Sequence, residues 1–182
     1  MSKQFHPSRA VKAAQAALCA SVVLALAAPA GALAAQNGGH PKVEGAAKQG
    51  KYIDRGRYLV RIGGCNDCHT PGYAENGGQV AEKEWLTGDQ LGWRGPWGTT
   101  YAANLRLSMN AMGENEWVKM AQTFKTRPPM PWFALHDMDK EDLRAIYRFV
   151  RHLGPAGKPA PAYVPPDRVP TGPAVLFPMP PK

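Results

Sequence analysis

The chain has 182 residues, a formal net charge of +8 and three cysteines. That length holds one domain of ordinary size with some flanking chain, and so few cysteines exclude a disulfide framework as the source of stability. Its 22 basic residues are scattered and no nucleic-acid motif accompanies them, which excludes nucleic acid as the reason for the charge.

Residues 1–34 read as a secretory signal peptide: a basic start (Lys3, Arg9, Lys12), an apolar run from Ala13 to Ala28, and a small-residue cleavage site at Ala32, Leu33 and Ala34. The run is alanine-rich and barely long enough to span a bilayer, so a cleaved leader is favoured over an anchor. Export to the periplasm follows, and Cys19 departs with the leader. With its three basic residues gone, 19 Lys+Arg face 14 Asp+Glu, a charge near +5 that steers the molecule toward acidic protein surfaces or anionic lipid.

Residues 35–50 have little to bury and read as a flexible leader. Order is expected from about Tyr52, with Asp54 capping a helix over 55–62 whose Tyr58, Leu59 and Ile62 share one side. Gly56 lacks a side chain and suits a close crossing by another helix.

Cys65-x-x-Cys68-His69 follows. In an exported chain this spacing is the attachment signature of c-type haem: the two thiols form thioethers with the vinyl groups and the adjacent imidazole takes an axial position on iron. On a continuing helix, positions 65, 68 and 69 share one face, where a flat macrocycle lies. A zinc site wants a second ligand pair that this chain lacks. A redox dithiol has no use for the trailing histidine.

The run from Arg55 to Thr70 resembles the opening of monohaem cytochrome c domains, in the "RGxYLxxxxxCxxCHT" form of the cytochrome subunits that accompany bacterial periplasmic dehydrogenases for alcohols and sugars. The resemblance continues through Gly98 to Leu105, Trp117, Pro129 to Trp132, and Asp142 to Leu153, and reaches the Pro-rich tail. Those relatives often carry two or three such domains, whereas this chain has one Cys-x-x-Cys-His. The resemblance implies a cytochrome c fold, a last helix crossing the first near Gly56, Asn104 close to the haem, a methionine as sixth ligand, a periplasmic dehydrogenase as electron donor, and an oxidase or other redox protein as acceptor.

Residues 70–113 are rich in glycine and poor in periodic apolar positions, and read as loops wrapped around the cofactor. Within them Trp93, Arg94 and Trp97 either donate to the haem propionates or cover the ring edge. Helical period returns over 114–124, where Trp117, Met120, Ala121 and Phe124 form a stripe in which Met120 reads as packing. In the run Arg127 to Trp132, the prolines around Met130 fix the backbone as a rigid mount for a thioether, and the resemblance places the sixth iron ligand there. Met138 and His136 are the rival ligands, with Met109 and Met112 behind them. A last helix over 139–153 is capped by Asp139 and stopped at Gly154; Leu143, Ile146, Tyr147, Val150 and Leu153 form its apolar face.

The Pro-rich tail, 156–182, is expected to be extended, either docked through Tyr163, Val164 and Val175 to Phe177 or free. The domain, 51–155, is thus expected to be all-α, about three main helices with long loops around one covalently bound haem c. With both axial positions filled, the function expected is electron transfer rather than catalysis. The alternative is a haem c enzyme, or a gas- or peroxide-binding protein, with an open sixth site.

Overall fold

A computed structural model of the protein describes residues 41–178, so the signal-peptide reading lies outside the described residues. Six α-helices, three short strands and one 3₁₀ turn (Glu82–Glu84) make up the regular structure among them: α1 (Pro41–Ile62), α2 (Cys65–His69), β1 (Gly92–Gly95), β2 (Gly98–Tyr101), α3 (Leu105–Asn110), α4 (Glu114–Thr123), α5 (Trp132–His136), α6 (Lys140–Leu153) and β3 (Ala174–Leu176). None of these helices is long and apolar enough to cross a membrane.

The scaffold is the crossing of α1 and α6. A Cβ on Gly56 would stand 2.1 Å from the Ala145 carbonyl oxygen and 2.7 Å from Phe149 Cβ, so only glycine lets the two backbones approach this far. The crossing sets which side of α1 is buried. Gly56, Leu59 and Val60, at i, i+3 and i+4, face α6, while Tyr58 and Ile62 are exposed, contrary to the expected stripe. Polar bonds flank the seam: Arg55 grips Asp142 with two bonds of 2.9 and 2.8 Å, and the Tyr52 hydroxyl donates to Glu141. α1 also starts earlier than expected. It runs through Asp54 from Pro41, a residue suited to a first helical turn, and Ala46, Ala47, Lys48 and Gln49 carry the helix where a flexible leader is expected.

α6 follows its sequence pattern closely. Leu143, Ile146, Tyr147 and Val150 are buried, and Gly154, at φ 70°, ends it. Asp139 occupies the N-cap position without a side-chain cap bond. Arg144 and Arg148 tie the opposite side to Glu114 at the start of α4, at 2.6 and 2.8 Å. The guanidinium of buried Arg106 on α3 donates to the carbonyls of Leu153, Gly154 and Lys83, closing the C-terminal end of α6.

The all-α expectation is overturned by a three-stranded mixed sheet of order β2-β1-β3. β1 and β2 form a hairpin whose register pairs Gly95 with Gly98 across a two-residue turn, and Gly98 sits at φ 94°, a conformation that excludes most side chains. β3 comes from the tail and lies parallel to β1, pairing Trp93 with Val175. The expected loop between the haem motif and α4 therefore holds a 3₁₀ turn, two strands and a helix.

The tail is docked rather than free. Val164 exchanges two backbone bonds with Thr99 at 2.7 and 3.0 Å, and the Tyr163 hydroxyl donates to the Trp97 carbonyl. Arg94 donates to the carbonyls of Arg168 and Pro166, while the Phe177 ring packs against Trp93 and Trp97.

Candidate functional site

Between α2, the hairpin, α3, α4 and the loop before α5 lies a cavity of about 250 Å³. Its lining is mainly apolar and, among the described residues, includes no carboxylate. Arg127 is its single charged side chain.

One wall is Gly63, Gly64, Cys65, Cys68 and His69. Gly64, at φ 69°, breaks the chain between α1 and α2, so the motif forms a helix of its own rather than continuing the first. Cys65, Cys68 and His69 nonetheless share one face of that short helix and line the cavity together, as the spacing requires. The motif is fastened from behind by bonds that leave this face free. The Thr70 hydroxyl donates to Asn66 Oδ1 and accepts from the Leu86 N–H, and the Gly88 N–H donates to the His69 carbonyl. Fully buried Asn66 keeps its Nδ2 without a partner, the single such buried side-chain atom among the described residues.

The buried imidazole of His69 has its Nδ1 2.7 Å from the Ala103 carbonyl, which fixes Nδ1 as the protonated nitrogen and leaves Nε2 with its lone pair free. Burial lowers the basicity of the ring and the Ala103 bond partly restores it, so the imidazole is neutral near pH 7. Burial pushes the Cys65 thiol up to about 11 and raises that of Cys68 as well, so both thiols stay protonated and neither is an activated nucleophile.

Met130 lines the cavity between Pro129 and Pro131, on a separate stretch of chain from the cysteines. Met138 lines it too, at the cysteine end: its methyl carbon and Cys65 Sγ both lie within 4 Å of the point where a Gly63 Cβ would stand. His136 is not among the lining residues; its Nε2 is 2.9 Å from the Phe124 carbonyl and its ring packs on Trp132. Met109 is buried in the wall, while Met112 lies outside the lining, packed against the core with its carbonyl accepting from the Tyr147 hydroxyl. Met120 lines the cavity from α4 and is partly exposed, so it is less a core residue than its spacing suggests.

The expected propionate donors divide. Trp93 lines the cavity, but Trp97 Nε1 donates to the Trp93 carbonyl and the Arg94 guanidinium is spent on Thr99 and the tail. Asn104 is buried and outside the cavity, occupied in three bonds of its own. Arg127, which the sequence marks only as a flank of the prolines, stacks over Tyr163 at 3.9 Å and lines the cavity. No local signal points to it, because its neighbour comes from the tail.

Among the described residues no group of three or more His, Cys, Asp or Glu side chains is placed to hold a bare metal ion. What the wall offers is two thiols, one imidazole nitrogen and soft thioethers around an apolar space. This donor set fits a flat, largely apolar metal macrocycle fixed covalently at one edge. A scan against protein-family models matches none of them, and searches of curated proteins and of solved structures find no match.

Proposed function

We propose that the protein is a c-type cytochrome domain that carries single electrons and is not itself a catalyst. The observation that carries this reading is the convergence on one apolar cavity of Cys65, Cys68 and His69 from one wall and Met130 from another. In this reading Cys65 and Cys68 would hold the macrocycle through thioethers, and His69, whose Nδ1–H is held by Ala103, would offer Nε2 to the iron. Bound haem c would supply a one-electron ferric/ferrous couple. Met130 would be the better second ligand, because Pro129 and Pro131 hold its backbone with little freedom to lose, whereas Met138 sits at the cysteine edge. A neutral imidazole and a neutral thioether together would favour the reduced state and leave no position open to outside ligands. Arg127 offers the lining its one cationic group, opposite in charge to carboxylates carried by the macrocycle.

The protein would act in the periplasm, accepting electrons from a dehydrogenase and passing them to an oxidase or other redox protein through small transient contacts. The test is mass spectrometry and absorption spectroscopy of protein made with cytochrome maturation machinery. One covalent haem is expected, and double Cys65→Ser, Cys68→Ser substitution should abolish it. The weak far-red band of ferric methionine-ligated iron should vanish in Met130→Ala and persist in Met138→Ala. Bare polypeptide overturns the reading, and prompt carbon monoxide binding by the reduced wild type would move it to an open-site protein.

A further inference from the structure

The carbonyl that holds the His69 ring belongs to Ala103, whose own side chain is exposed. That carbonyl is held by its neighbours on both sides: Ala102 before it is buried, with its own carbonyl accepting from the Asp89 N–H at 3.1 Å, and Asn104 follows it. Asn104 is 4% exposed and uses its whole amide: Oδ1 accepts from the Leu107 N–H at 3.0 Å, and Nδ2 donates to the Ala156 and Lys158 carbonyls at 2.8 and 3.1 Å. The seat for this amide is built into the chain on the other side. Gly157, at φ 75°, lies between the two accepting residues, and a Cβ there would come within 3.0 Å of Asn104 Nδ2. The turn that starts the Pro-rich tail is thus clamped onto the segment that orients the histidine.

We propose that Asn104 is a positioning residue for His69, acting through the Ala103 carbonyl and tethered to the head of the tail at residues 156–158. The inference rests on the haem reading above and extends it to a residue that touches neither the cavity nor the histidine. An Nδ1–H bond to a fixed carbonyl strengthens the imidazole as an electron donor to iron and so favours the oxidised state. Releasing Asn104 should let the carbonyl drift, weaken that bond, and raise the reduction potential.

The test compares haem-loaded wild type with Asn104→Ala and Asn104→Ser. Serine keeps an acceptor for the Leu107 N–H but is too short to reach the tail carbonyls, so it preserves the helix cap and removes the tether. Both variants are expected to show a higher reduction potential and His69 Nδ1–H exchange about tenfold faster by NMR, the loss of roughly one net hydrogen bond. If Asn104→Ser has the wild-type potential and exchange rate, the proposal is overturned, even where its melting temperature falls, because a purely structural asparagine would do that alone. A wild-type chain that takes up no haem overturns the haem reading and this inference with it; a loaded wild type with unshifted variants overturns this inference only.

Discussion

Replacing Gly56 by alanine sets two effects of opposite sign against each other. In a helix interior the change should help by about 1 kcal/mol through propensity. At this position the new methyl would stand 2.1 Å from the Ala145 carbonyl oxygen, where contact needs about 3.5 Å, so α1 and α6 must part by roughly 1.4 Å. The obstructing atom is backbone, which cannot rotate away, and parting the helices loosens Leu59, Val60, Phe149 and Val150 together. Overpacking of this kind costs about 1–3 kcal/mol and its upper end applies here, leaving a net loss of about 2 kcal/mol, close to thirtyfold in the folding equilibrium. Gly45 is the control, because it lies on the same helix and a Cβ added there would meet nothing within 4 Å: Gly45→Ala should gain up to about 1 kcal/mol. Urea unfolding followed by far-ultraviolet circular dichroism reads both as midpoint shifts at constant slope. A Gly56→Ala midpoint at or above wild type would refute the crossing as described.

Other consequences are as direct. Glu114 accepts from Arg148 and Arg144, which hold its carboxyl below the usual range, so its contribution is full above the ordinary carboxylate pKa and is lost as pH falls through the depressed folded value. Because about a quarter of each partner is exposed, Glu114→Gln should cost only about 1 kcal/mol at pH 7, and the gap from wild type should close in acid; a gap independent of pH contradicts the ion-pair account. Arg94→Ala removes the donors to Pro166 and Arg168, so trypsin should cut after Arg168 several-fold faster, and an unchanged rate would mean the tail is held without them.

What could be read from the chain was what is local. The apolar face of α6 recurs within one helix, and the thiols and His69 share a face by spacing alone, so both were visible. The sheet was not, because β1 and β2 are four residues long, meet at Gly95 and Gly98, and β1 takes its other neighbour from the far end of the chain. Nor does the two-residue Pro96-Trp97 connection resemble the Asn-Gly, Asp-Gly or Gly-X pairs that mark a tight hairpin. Which methionine faces the cysteines is likewise tertiary: the prolines around Met130 argue for a stiff mount, but only the fold separates Met138 at one edge from His136 outside the lining.

The position of β3 bears on how the molecule avoids sticking to its own kind. Its inner side is taken by β1, and its outer side presents backbone groups that another copy could extend into a larger sheet. Pro173 stands immediately before the strand and Pro178 two residues after it, and neither has an N–H to lend. A neighbouring chain would meet a ledge three residues long, too short a foothold for growth.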